Sequence, residues 1–449
     1  MTVSLLISIL LLALIQGIVV GLLPGLPGVI GIIVLLPLFE HWPIEAVLLF
    51  FACYMCVTQY FGSVSALLFK VPGESSSIPV LEVALKLKNF ASVVKTYRVT
   101  ALTSLVGGLV GVTMFVVLFV IFRTNWAYLF STKYVVLFLS LLIMSMLVQN
   151  KKYVANLVMS LLGLGFAYFS ELPVLNSICD SVDVLCFLRT PAESTLVLLS
   201  LYCVPVLFSK TNAINKSSQY TTYVPTWWSL RNFYKIGLKH GLLGFFVGFT
   251  PGAGVTLASN LSNNIEQKNN PNHLLRQAGA AEAGNNAAAI SCTIPFLFLG
   301  LPITASEIVI DNFLSGQFYR LNLSTLDTNI VLANTEIAFT VLLVVSLLII
   351  NVISFLLCSH FIRFWQRLLA VDVKIYVLAI KILIVSSLMM IAVASQIPIG
   401  AVVFTVALFG AIGVWAEKHS ISVIPLAIMI SIGPFAVNKF VLAYNLYLM

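Results

Sequence analysis

Residues 241–254 read GLLGFFVGFTPGAG, and residues 17–28 read GIVVGLLPGLPG. In both, an apolar run ends in Gly-x-x-Pro-Gly, from Gly21 to Gly25 and from Gly248 to Gly252. Proline removes a backbone donor and blocks the helix. Glycine lets the chain turn and lets a ligand approach the backbone. About 45 residues after each comes a second proline-centred element, FGSVSALLFKVPGESSS at 61–77 and AGNNAAAISCTIPFLFLGLPITAS at 283–306, with Pro72 and Pro302 in equivalent positions. The chain therefore reads as two copies of one broken-helix plan.

The surrounding composition says where such a plan is used. Of 449 residues, 60% are hydrophobic and 9% charged, and the mean hydropathy is +1.05. Soluble domains carry about 25% charged residues. This excludes a soluble enzyme, a nucleic-acid binder and a disordered chain, and predicts an all-α polytopic membrane protein of about twelve helical spans. The first residues have no basic region and no cleavage site, so they read as a first span. The net charge of +8 resides in a few loops, as insertion with positive loops inside produces.

Those loops assign sides. Segments 80–98 (Lys86, Lys88, Lys95, Arg98), 209–240 (Lys210, Lys216, Arg231, Lys235, Lys239) and 359–375 (Arg363, Arg367, Lys374), with the turn at Lys151 and Lys152, are expected in the cytoplasm. Segments 171–193 (Glu171, Asp180, Asp183, Glu193) and 307–327 (Glu307, Asp311, Asp327) are expected outside. Segments of matching rank, 80–98 and 307–327, then fall on opposite sides, as two inverted-topology repeats require. The expected organisation is a first transmembrane repeat over 1–208, a cytoplasmic linker over 209–235 and a second repeat over 236–449. By the repeat, both termini lie outside.

A helix broken inside the membrane exposes N–H groups at one half-helix start and C=O groups at the other half-helix end. The first suits an anion and the second a cation. Irregular backbone at that depth is tolerated only where it is buried in protein or lines a cavity. Paired in two halves, such elements point to a transporter's binding site.

The stretches GLLPGLPGVIGI, FGSVSALLFKVPGESSS, GFTPGAGVTLAS and AAEAGNNAAAISCTIPFLFLGLP, in this order and spacing, resemble the large membrane subunit of tripartite tricarboxylate transporters, the TctA type. The resemblance implies a bacterial inner-membrane permease that takes up carboxylates such as citrate on a cation gradient, Na+ or H+. It also implies a small partner membrane subunit and a soluble extracytoplasmic binding protein, and no cofactor. The sequence departs from the family pattern in three places. Pro27 stands before Gly28, Lys70 and Glu74 flank the Pro72-Gly73 tip, and Ile303 follows Pro302.

The expected substrate contacts are Gly25, Gly28, Gly252 and Gly254 in the turns, and Pro72, Gly73 and Pro302 at the tips. To these are added the hydroxyls of Ser63, Ser65, Ser75, Ser76 and Thr304, the amides of Asn285 and Asn286, and Lys70. Lys70 and Glu74 are either a substrate countercharge with its partner or an exposed tip pair. Glu282, Asn285 and Asn286 are the expected coupling-ion ligands, and Glu282 otherwise begins a helix. Cys53 and Cys56 form a Cys-x-x-Cys within an apolar run and read as buried small hydrophobes. Cys179 and Cys186 share an outside loop that permits a disulfide. The five histidines show no ligand spacing, and no metalloprotease, serine-hydrolase or Walker motif is present. The alternatives are a stand-alone carrier without partner subunits and a membrane scaffold or enzyme without transport.

Overall fold

The computed structural model describes residues 3–22, 28–69, 74–87, 90–122, 152–169, 194–208, 230–250, 252, 254–299, 302–315, 335–362, 399–419 and 421–427, with short stretches between 136 and 144 and beyond 364. Every regular element among them is helical. The first half contributes α1 (Val3–Leu22), α2 (Gly28–Ile33), α3 (Leu36–Phe39), α4 (Ile44–Phe69), a 3-10 turn (Ser75–Ser77), α5 (Ile78–Lys86), α6 (Phe90–Phe122), α7 (Tyr153–Phe169) and α8 (Ser194–Phe208). The second half contributes α9 (Tyr234–Gly248), α10 (Gly254–Asn269), α11 (Leu274–Ser291), α12 (Thr293–Leu299), α13 (Ala305–Ser315), α14 (Thr335–His360) and α15 (Ile399–Lys418).

Among the described residues, Val3–Leu22, Ile44–Leu68, Ala91–Ile121 and Ala338–His360 are long and apolar enough to cross a membrane. They use their surfaces differently. On α1, Val3, Ile7, Leu11, Ile15 and Val19 are exposed, a stripe at i, i+4 spacing that matches one helix face turned to lipid. On α14, Val341, Val345, Ile349, Val352 and Leu356 form a similar stripe. Helix α4 has no such stripe, and its apolar window is wholly buried inside the protein. It is a central helix, and its polar residues Gln59, Ser63 and Ser65 face other helices.

Around α4 the packing pairs the halves. Helix α1 packs along α4, and α9 packs along α11. The turn Ser75–Ser77 rests on α10, and α13 rests on α2. Each half's second broken element therefore lies against the other half's first. Helices α6, α9, α10 and α11 pack so closely that a Cβ on Gly107 would meet the Ala283 backbone and one on Gly244 the Gly284 backbone. Lipid offers little driving force between helices, so backbones that approach this closely gain their stability from dispersion.

Several expectations are corrected. Helix α11 runs from Leu274, ahead of the broken element expected over 283–306, and is interrupted at Cys292 before α12. Its sequence LLRQAGAAEAGNN is not apolar enough to read as a span, yet every residue from Gln277 to Ser291 is buried. Segment 80–98 is mostly helix, with Lys95 and Arg98 in the first turns of α6. Glu307 is not a loop charge. It sits fully buried in the first turn of α13.

Candidate functional site

The first broken element of the second half ends in a turn that needs glycine. Gly252 has φ 75°, a left-handed conformation that costs other L-residues about 1–2 kcal/mol. Its N–H donates to the Ile303 carbonyl at 2.7 Å, tying the Pro-Gly turn to the tip after Pro302. That tip is closed by its own carboxylate. Glu307 Oε2 accepts from the backbone N–H of Ile303 (2.7 Å) and Thr304 (2.8 Å), and the Glu307 N–H donates to Thr304 Oγ1 at 3.3 Å. Thr304-x-x-Glu307 is thus a capping box. Glu307 Oε1 is buried and has no partner among the described residues.

The first half carries the mirror of this arrangement. Glu74 stands before the 3-10 turn with Ser77 three residues on, and the two cap each other reciprocally. Glu74 Oε2 also accepts from Gln59 Nε2 at 2.8 Å, and the Gly28 N–H supplies a further bond to the carboxylate. Gln59 Oε1 in turn accepts from Ser76 Oγ at 2.7 Å, and the Gly28 carbonyl accepts from Tyr54 OH at 2.6 Å. In one half the carboxylate precedes the turn and bonds to Gln59 and Gly28 on neighbouring elements, and in the other it lies three residues in and closes its own tip.

The first-half tip meets α10 across the halves. Ser75 Oγ and Thr256 Oγ1 lie 2.7 Å apart, and Ser259 Oγ donates to the Ser76 carbonyl at 2.6 Å. Thr256 and Ser259 are three residues apart on α10, so both hydroxyls share one helix face. The junction combines hydroxyls and one helix start, neutral donors suited to anionic oxygens, with the Gly252 turn and the Glu74 and Glu307 carboxylates beside them.

A second polar cluster lies deeper. Glu282, wholly buried on α11, accepts from Ser104 Oγ of α6 at 3.1 Å and from Asn285 Nδ2 at 3.4 Å. Ser63 of α4 supplies another side-chain hydrogen bond. Asn286 Nδ2 donates to Ser104 Oγ (3.0 Å), to the Glu282 carbonyl (2.9 Å) and to Asn285 Oδ1 (2.7 Å), leaving Asn286 Oδ1 buried without a partner among the described residues. No cation is paired with Glu282 among the described residues. A buried carboxylate held only by neutral groups can take a proton or a small cation, because the free charge is costly there. Three or more His, Cys, Asp or Glu side chains placed to hold a metal occur nowhere among the described residues. Any cation here would therefore rely on one carboxylate and neutral oxygens.

The expected residues are thus divided between two places. Gly28, Ser75, Ser76, Gly252, Pro302 and Thr304 belong to the tip junction. Gly254 packs beneath it, where a Cβ would strike the Gly248 carbonyl. Ser63 belongs to the Glu282 cluster and not to a tip, while Ser65 is buried on α4. Asn285 and Asn286 join Glu282. The reading of Glu282 as a helix start is overturned, because it lies in the third turn of α11. Glu74 is part buried and bonded to Gln59, which corrects the reading of it as an exposed tip charge. Gly25, Lys70, Pro72 and Gly73 lie outside the described residues, as do Cys179 and Cys186. Cys53 and Cys56 are free and buried. Ser104, Thr256, Ser259, Gln59 and Glu307 were not anticipated. Of these only Glu307 had a legible signal, the Thr-Ala-Ser-Glu capping pattern at 304–307.

Lipid-facing apolar helices around a buried junction of broken elements define a multi-pass membrane protein. Residues 7–428 match the Tripartite tricarboxylate transporter TctA family. The chain belongs to that family and is a component of a tripartite transporter system, a class of transport proteins and not of enzymes. No curated protein and no solved structure matches the chain.

Proposed function

We propose that this chain is the permease subunit of a bacterial inner-membrane system for secondary active uptake of a small organic anion, a di- or tricarboxylate. It works with a small membrane subunit and a soluble extracytoplasmic binding protein. The anion binds at the tip junction through the Gly252 turn, the helix starts after Gly28 and Gly254, and the hydroxyls of Ser75, Ser76, Thr256 and Thr304. Lys70, Pro72, Gly73 and Gly25 complete the first-half side. The coupling ion, Na+ or H+, is held by Glu282 with Asn285 and Asn286. The two halves are inverted-topology repeats that rock against one another.

The observation that supports this most is the reciprocal meeting of four broken elements, with Ser75 and Ser76 on α10 and α13 on α2. Broken helices in corresponding positions of two halves mark a transporter's substrate site. Uptake of radiolabelled citrate and related carboxylates into proteoliposomes, with its partner subunits present and an imposed Na+ or H+ gradient, tests it. Accumulation that collapses when the gradient is dissipated is expected. Uptake that ignores both gradients would sink the coupling assignment.

A further inference from the structure

Away from both clusters, a cavity of about 610 Å³ opens where α5 ends and α6, α9 and α11 begin. Its polar lining includes Lys86, Lys95, Arg276, Ser92, Asn232 and Asn272, and among the described residues no carboxylate lines it. Lys86 and Lys95 are both exposed, and neither pairs with an acidic group among the described residues. Arg276 is 41% exposed and engages Glu266 through Nε at 3.0 Å. The first turns of α6 and α11 add the positive ends of two helices.

The cavity lies at one end of α6, a helix long and apolar enough to cross a membrane, beside its first residues Ser92 and Lys95. The end of a membrane-crossing helix is where hydrocarbon gives way to headgroups, and Leu87 and Ile236 supply an apolar wall. Exposed ammonium groups hold a freely diffusing solute weakly. A lipid is different, because its acyl chains keep the headgroup at this level and at high local concentration. Basic pockets between membrane helices recognise anionic headgroups by this combination. We propose that this cavity binds the phosphate headgroup of an anionic phospholipid, with Lys86, Lys95 and Arg276 as its charge partners and Ser92, Asn232 and Asn272 as neutral ones. The proposal rests on the chain's being a membrane protein and is independent of substrate and coupling ion.

The test uses the full chain, purified in a neutral detergent and given equal phosphatidylglycerol and phosphatidylcholine, with bound lipid counted by native mass spectrometry. Phosphatidylglycerol should be retained several-fold over phosphatidylcholine. Lys86→Gln with Lys95→Gln should lower that preference to near parity with phosphatidylcholine. Lys86→Arg with Lys95→Arg should restore it, and Lys268→Gln, on the exposed end of α10, should leave it unchanged. Thermal melting of each variant shows that loss of lipid is not loss of fold. Equal retention of both lipids, or a folded Gln double variant that holds phosphatidylglycerol like the parent chain, overturns the proposal. In a second arm, soluble glycerol phosphate competes with the lipid. Weak competition is expected, and displacement at concentrations matching those of the lipid would reassign the cavity to a free phosphate ester and end the lipid assignment.

Discussion

Glu266 and Glu282 are both almost completely buried and lie on adjacent helices, yet their surroundings are opposite. Glu266, near the end of α10, is met by Arg276 at 3.0 Å, His240 at 3.1 Å and Lys239 at 3.5 Å, with Asn270 donating to Oε2 at 3.0 Å. Glu282 has only hydroxyl and amide donors. Burial acts to raise the Glu266 carboxyl, but the Arg276 and His240 hydrogen bonds and charges outweigh it and hold it at about 2. It is a fixed anion that ties α9, α10 and α11 together. Glu282 has no countercharge among the described residues, and in the function proposed above a mobile cation or proton takes that place. One carboxylate is structural cement, and the other is, in that proposed function, the group that exchanges a proton or cation.

The sharpest break of this comparison is to neutralise each in turn. Glu282→Gln should abolish gradient-driven uptake, by about a hundredfold or more, while melting stays close to that of the parent chain, because Gln still accepts from Ser104. Glu266→Gln should do the reverse. It should lower stability by about 2 kcal/mol, below the roughly 3–5 of a fully buried broken pair because Arg276 and Lys239 are part exposed, and leave the folded fraction transporting. If Glu282→Gln still couples uptake to the gradient, the two carboxylates do not differ in kind.

Gly252→Ala should reduce uptake at least tenfold with insertion intact, since the left-handed turn that presents its N–H to Ile303 is strained by about 1–2 kcal/mol. Normal uptake would show that this turn only packs helices. Gly244→Ala should act on assembly instead. Its Cβ meets the Gly284 backbone, and overpacking of this kind costs about 1–3 kcal/mol, read as a lower melting temperature.

Acid should separate the carboxylates too. With Glu266 held at about 2, its stabilisation is complete above the ordinary carboxylate value of about 4.3. It is lost as pH falls from there towards the folded value. Melting temperatures of the parent chain should therefore fall between about pH 4 and pH 2 more steeply than those of Glu266→Gln. Parallel curves would show that Glu266 is not the group responsible. The smallest effect should come from Thr256→Ala, which removes one hydroxyl contact to Ser75, worth about 1 kcal/mol or less. A severalfold rise in the half-saturating substrate concentration is expected, with maximal uptake retained.

How much of this was legible depends on the distance over which the signal acts. The Pro-Gly turns were readable because proline and glycine act on their own backbone, and the positive φ of Gly252 bears this out. Asn285, Asn286 and Glu282 stood out as polar residues in an apolar stretch, and they do meet. Their partner Ser104 did not stand out, because a serine in LTSLVGG is unremarkable until α6 lies against α11. Ser63 was expected at a tip because it is near one in sequence, whereas helix phase turns it to Glu282. Counting Glu307 among loop charges failed for a related reason. Charge sums assume that acids are solvated, and this one is buried as a helix cap.

By itself the sequence determined that the chain is a helical membrane protein, that its helices break at two matched pairs of proline-centred elements, and which family it resembles. Hydropathy and backbone restriction are local properties, written residue by residue. Only the tertiary structure decided which broken elements touch, that Glu266 is ion-paired while Glu282, among the described residues, is not, and that the apolar stretch of α4 is enclosed. Those outcomes depend on which helix faces meet. Small residues set that choice by letting backbones approach within van der Waals contact, and their partners lie far along the chain, 40 residues for Gly244 and Gly284 and 176 for Gly107 and Ala283.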